Sequence, residues 1–140
     1  MKKLTALLLV VFVCLTLVAC GSKKDDTTTP DASNKVKEYV NENGEAFLEG
    51  FEQGFESSGL TCTSSIKAEG NGIVITVCIN ELVDVTDDVK AQLQSTYDAD
   101  TSAYESVLAQ LQGELPELET MTYRICEKDG DILATIKVGK

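Results

Sequence analysis

Two short turns constrain this chain more than any other feature. In AEGNGIVITVCIN, Gly70, Asn71 and Gly72 separate two strand-like runs, about Leu60–Ala68 and Ile73–Asn80. These residue types reach the positive φ angles that a tight hairpin needs. Pairing Ala68 with Ile73 brings Ile66 to Ile75, Ser64 to Val77 and Cys62 to Ile79. A slip of one residue would turn every apolar side chain to the wrong face, so the matching fixes the register. In RICEKDGDILATIKV, Asp129-Gly130 predicts a two-residue turn between strands at about Thr120–Glu127 and Ile132–Val138. Pairing Lys128 with Asp131 sets Ile125 opposite Ala134, Tyr123 opposite Ile136 and Met121 opposite Val138.

The segments ahead of each hairpin are helical in period. From Lys35 to Ser57, Val36, Val40, Gly44, Phe47, Phe51 and Phe55 recur at steps of three and four. Gly50 and Gly54 lie beside this stripe, where missing side chains let another backbone approach. Glu38, Glu42, Glu45, Glu49, Glu52 and Glu56 occupy the opposite face. Like charges at this spacing cost ~0.2–0.5 kcal/mol per pair, so burial of the Phe rings must hold the helix. A second helix starts after Thr86, with Asp87 and Asp88 at its positive end. Val89, Leu93, Tyr97, Tyr104, Leu108, Leu111 and Leu115 line one side of it, and DADTS at 98–102 is placed to break or kink it. Ser102 and Glu105 have capping-box spacing; Gly113 and Pro116 end the segment. The expected fold is α+β and two-layered, in the order helix, hairpin, helix, hairpin. A four-stranded antiparallel sheet is packed on one face by two helices.

The N-terminus carries an address. Lys2 and Lys3 precede an apolar run from Leu4 to Ala19, and LVAC ends it without a basic flank. This is the layout of an export signal, and the run is short for a membrane span of ~20 residues. LVAC resembles the lipobox of bacterial lipoproteins. The resemblance implies cleavage between Ala19 and Cys20 and acylation of the Cys20 thiol, with acyl chains such as palmitate as the anchor. Residues 1–19 are then a lipoprotein signal peptide, 20–34 a lipidated cysteine with a flexible tether, and 35–140 one folded domain. The tether, taken as coil, reaches roughly 20 Å on average and about 45 Å fully extended.

Without residues 1–19 the chain keeps ten basic and 23 acidic side chains, a charge of −13. That sign argues against nucleic acid and against lying flat on anionic headgroups. The expected location is the extracytoplasmic face of the cell membrane, held there through the lipid.

With Cys14 in the signal and Cys20 assigned to lipid, Cys62, Cys78 and Cys126 remain. Cys62 shares the inner face with Ile79, whereas Cys78 and Cys126 point to the outer face with Thr63 and Leu133 as neighbours. A Cys78–Cys126 bridge, two neighbouring thiols, or no bridge at all are the alternatives.

Catalytic patterns are sparse. The chain has no histidine to serve as the usual base for a cysteine or serine nucleophile. DADTS opens like a calcium loop, but Ala103 stands where glycine is needed and Ala109 where glutamate is needed. No metal site or cofactor is expected.

From about 36 to 138 the chain resembles a family of small lipoproteins of unknown function from Gram-positive bacteria. The features that carry it are YVNEN…FLEGFEQGFESSG, the AEGN hairpin, AYESVLAQLQGELPEL and YRICEKDGDILATIKV. The resemblance implies a lipid anchor and a domain of unknown function, and no catalytic residue.

The expected function is therefore a binding or accessory module, not an enzyme, with an unknown protein or cell-envelope ligand as partner. Its candidate interaction face is the outer side of the sheet: Val74, Thr76, Leu133 and Thr135, with Cys78 and Cys126. One alternative is a cation- or cell-wall-associated role through the acidic face of the first helix. Another is a small hydrolase using a carboxylate pair.

Overall fold

The structure, a computed structural model, describes residues 32–140. Ala19, Cys20, the signal and most of the tether lie outside the described residues. Helix α1 spans Ala32–Ser57, three residues longer at its start than the apolar period predicts. Its first turn has no apolar pattern, but Ala32 and Ser33 are half-buried and Lys35 pairs with Glu117. The first hairpin joins β1 (Cys62–Glu69) to β2 (Gly72–Ile79). Then come α2 (Asp87–Ala99), α3 (Ser102–Glu114), β3 (Thr120–Glu127) and β4 (Ile132–Gly139).

The β1–β2 register is the one that apolar matching predicts, Ala68 opposite Ile73 through Cys62 opposite Ile79. Only Gly70 of the turn has a positive φ, at 58°. Gly72 serves another purpose: a Cβ there would meet the Thr120 hydroxyl at 2.3 Å, so glycine lets β3 come alongside.

The second turn differs in length. The Glu127 N–H donates to the Asp131 carbonyl, and Gly130 adopts φ 93°. The loop thus has three residues, with glycine in the left-handed position. Beyond it, Ile125 opposite Ala134, Tyr123 opposite Ile136 and Met121 opposite Val138 hold as expected. The two registers differ by one residue, and a bulge between Ile125 and Cys126 absorbs it. Cys126 therefore faces Ile132, not Leu133, and Leu133 joins the core.

The sheet order is β1-β2-β3-β4, but β2 and β3 run parallel. This corrects the expectation of a wholly antiparallel sheet on two helices: the sheet is mixed and there are three helices among the described residues. Thr120 lies beside Gly72, not beside Ile79, so residues 80–119 carry the chain back a full strand length of about 25 Å. A parallel pair requires such a crossover, and α2 and α3 supply it. The start of β3 is tied to the first turn by the Glu119 N–H donating to the Asn71 carbonyl at 2.8 Å.

Every second residue of each strand faces inward, and aromatic side chains bind that inner face to the helices. Phe47, Phe51 and Phe55 stack along α1 with centroids 5.8 and 6.2 Å apart. Phe51 stacks on Tyr123 at 6.1 Å, Tyr123 meets Tyr104 of α3 edge-on at 4.9 Å, and Tyr104 meets Tyr97 of α2 at 6.1 Å. Each buried Phe contributes roughly 1.5–3 kcal/mol, which outweighs the repulsion along the acidic stripe. Gly44, on the same apolar face, packs where a Cβ would lie 2.8 Å from Ile66 Cγ2.

Single helix side chains engage the outer strands of the sheet. Glu52 Oε1 accepts the Ser64 N–H at 3.3 Å and its hydroxyl at 2.7 Å on β1. Gln94 brackets β4, donating to the Thr135 carbonyl at 2.9 Å and accepting its N–H at 2.8 Å. Both contacts occupy backbone groups that an open sheet edge leaves unpaired.

Candidate functional site

Registers and alternation lay out the outer face as rows across the sheet. One row reads Lys67, Val74, Thr122, Lys137; the next reads Ser65, Thr76, Arg124, Thr135; the third reads Thr63, Cys78, Cys126, Ile132. The aromatic contacts place α1, α2 and α3 on the inner side. Hydroxyls thus dominate the outer face, with Arg124 at its middle.

The sequence singles out this face for its apolar residues, and the structure alters that part. Val74 is 4% exposed, and Leu133, at the bulge, is 3% exposed within the core cluster. Thr76 and Thr135 are half-buried on the face. Exposed large apolar side chains are Ile132, at the β4 end of the third row, and Val83, in the connection after β2. What the face offers is hydrogen bonding and charge. Lys67 pairs with Glu69 at 2.5 Å. This lysine, and to a lesser degree Arg124, holds the Glu69 carboxyl below its usual range.

Cys78 and Cys126 are opposite one another in the parallel β2–β3 pair, as separate thiols. Cys126 is buried and Cys78 half-buried. Burial, and then the Cys78 thiol beside it, pushes the Cys126 thiol up to about 11. Cys62 sits opposite Ile79 on the inner side, so strand alternation separates it from the pair.

Other sequence motifs resolve into structural roles. DADTS breaks the helix in two: Asp100 Oδ1 accepts the Ser102 N–H at 3.0 Å and its hydroxyl at 2.5 Å. Those bonds hold the Asp100 carboxyl below its usual range. The expected capping box does not form: the N-cap is Thr101, with no side-chain bond to the helix backbone, and its hydroxyl donates to Glu105 Oε1 at 2.9 Å. Five glutamates of the acidic stripe are exposed, and Glu52 turns to β1. Among the described residues no group of three or more His, Cys, Asp or Glu could hold a metal ion. A narrow apolar crevice between α1 and the sheet is lined by Tyr39, Asn43, Gly44, Phe47, Ile66 and Leu111 among others, without a carboxylate.

Three acidic residues gain roles that composition does not reveal. Glu127, only 6% exposed, accepts the Val85 N–H at 3.2 Å and faces Lys90 at 3.5 Å. Glu81 takes the Thr61 N–H and hydroxyl, which keeps its carboxyl low. Glu114 accepts the Tyr39 hydroxyl at 3.3 Å; burial first, and then this carboxylate, push that phenol up to about 12. These contacts fasten the Val85 loop to β3, the turn after β2 to the residue ahead of β1, and α1 to α3. Alternation along β3 already places Glu127 on the inner side, so its burial was readable; Glu81 and Glu114 carry no such signal. No helix of the described residues is long and apolar enough to cross a membrane.

Residues 26–137 match a family described as a domain of unknown function (DUF4854), and the chain belongs to that family. No curated protein and no solved structure matches it.

Proposed function

We propose that this is a lipid-anchored extracytoplasmic binding or accessory module of a Gram-positive cell envelope, which presents its outer sheet face to a polar partner. LVAC supports acylation at Cys20 after cleavage behind Ala19, and two acyl chains anchor stably where one does not. The charge of −13 beyond the signal keeps the domain off the anionic bilayer, at the end of its tether. The observation that carries the binding role is the row Ser65, Thr76, Arg124, Thr135, flanked by Lys67 and Lys137. A flat grid of hydroxyls around a guanidinium suits an extended polar ligand, a protein segment or an envelope polymer. Individual hydrogen bonds add only about 0.5–1.5 kcal/mol each, so contact along several rows is required. Lipid anchoring confines many copies to one plane and raises avidity for a repetitive ligand.

The test uses the full-length protein with a photo-activatable residue at Thr76, produced in cells fed an alkyne-tagged fatty acid. Wild type should incorporate the tag, fractionate with membranes and cross-link to a defined partner. Cys20→Ala should lose the tag and leave the membrane. Arg124→Glu should keep the tag and its melting temperature while cross-linking falls at least about tenfold. Unchanged cross-linking in Arg124→Glu overturns the binding face; a tagged Cys20→Ala overturns the anchor.

A further inference from the structure

The outer face also holds a dithiol, and we propose that Cys78 and Cys126 form a reversible cross-strand disulfide when a small-molecule or protein disulfide oxidant reaches that face. The exported location that would supply such an oxidant rests on the reading above; the bond-forming geometry does not. The two residues are direct partners in the parallel β2–β3 register. Neighbouring strands lie about 4.7–4.9 Å apart, inside the Cα separation a disulfide accepts. The two thiols face each other on the same side of the sheet, in one row with Thr63 and Ile132. A directly opposed pair keeps its Cβ atoms near the strand spacing, wider than the ~3.8 Å a bridge prefers. The bulge between Ile125 and Cys126 supplies slack on the β4 side, so β3 can shift toward β2 without breaking a regular ladder.

Unequal burial assigns the order of events. Cys78 is half-buried and open to solvent, while Cys126 is 2% exposed. The Cys78 thiol gives its proton to solvent, and its thiolate attacks one sulfur of the oxidant. The oxidant's S–S bond breaks, one thiolate leaves, and a mixed disulfide remains on Cys78. Cys126 then loses its proton and attacks the Cys78 sulfur, expelling the second thiolate. Two cysteine thiols are oxidised by two electrons, one disulfide is reduced to two thiols, and the protons end on those products. With the Cys126 thiol up at about 11, ring closure is the slow step near neutral pH. It should accelerate roughly tenfold per pH unit.

The experiment takes the purified full-length protein, oxidises it with glutathione disulfide, alkylates what remains and maps tryptic peptides. The expected product links 68–90 to 125–128, with the Cys62 peptide 38–67 still alkylated, and dithiothreitol reverses it. Cys126→Ser should stop at a glutathione adduct on Cys78. In Cys78→Ser, modification of Cys126 should slow at least about tenfold. Persistence of both alkylated thiols in wild type after exhaustive oxidation overturns the proposal, as does a link through Cys62. Wild-type mapping alone decides the bond, so a misfolded variant does not blunt the test. Because no membrane or partner is involved, failure here leaves the lipid-anchor and binding readouts standing.

Discussion

Removing one buried oxygen should stabilise this protein. Tyr123 is 2% exposed, and its hydroxyl has no hydrogen-bond partner among the described residues. Burial of an unpaired hydroxyl costs about 1–3 kcal/mol relative to its hydrated state in the unfolded chain. Phenylalanine keeps the stacking on Phe51 and the edge contact with Tyr104 and deletes only the oxygen. The small void left behind costs on the order of 0.3 kcal/mol, from ~24 cal/mol per Å³ over an oxygen-sized volume. The net expectation for Tyr123→Phe is a gain of about 0.5–2.5 kcal/mol. A domain of this size moves about 4 °C per kcal/mol, so the melting temperature should rise by roughly 2–10 °C. Urea unfolding followed by circular dichroism should show a higher midpoint at unchanged slope, which marks a change in stability and not in the unfolded ensemble. Tyr97→Phe, whose hydroxyl is likewise buried without a partner, should act in the same direction. A lower midpoint for Tyr123→Phe would refute the reasoning, because it would mean that the hydroxyl is satisfied in solution.

The same aromatic cluster sets an alkaline limit. Burial raises the phenols of Tyr97, to about 12, and of Tyr104 and Tyr123 further. Above pH 10 the unfolded chain releases these protons and the folded one keeps them, so stability falls as pH rises. Three phenols approach a slope of about 4 kcal/mol per pH unit between pH 10 and 12, readable as a collapse of the urea midpoint over that same range; a flat profile would contradict their burial. Gly44→Ala sets a helix gain of about 1 kcal/mol against overpacking of about 1–3 kcal/mol on Ile66, with a net loss expected. Adding Ile66→Ala should relieve the clash, so the double-mutant cycle should show a favourable coupling of about 1–2 kcal/mol; additive losses would place the strain elsewhere.

Side-chain alternation and turn glycines made most of the sheet legible. Matching Ile66 with Ile75 and Tyr123 with Ile136 needs only period two and a turn of known position, and both pairings are present. The direction of β3 against β2 was not legible from that rule, because alternation is the same in parallel and antiparallel pairs. The signal for it lay in GIVITVCI, whose buried residues are nearly continuous, as expected of a central strand paired in parallel. The three-residue turn was hidden because Asp-Gly serves loops of either length, and the displaced register then carried Leu133 off the predicted face. Of the residues named for the outer face, Thr76 and Thr135 lie half-buried on it, Val74 is buried, and Arg124, beside Thr76, went unnamed. Gln94 and Glu52 looked like ordinary polar helix positions, since nothing in a sequence says which polar side chain meets a strand edge. Cys20 and Ala19 lie outside the described residues.

A bare strand at the edge of a sheet invites a neighbouring molecule to zip onto it. Glu52 on β1 and Gln94 on β4 act as stoppers against that outcome. Each is a single side chain that one substitution removes. Sociability in this fold is thus set by two side chains that belong to neither the core nor the sheet. Loss of either would bare a strand edge and favour pairing between copies of the chain.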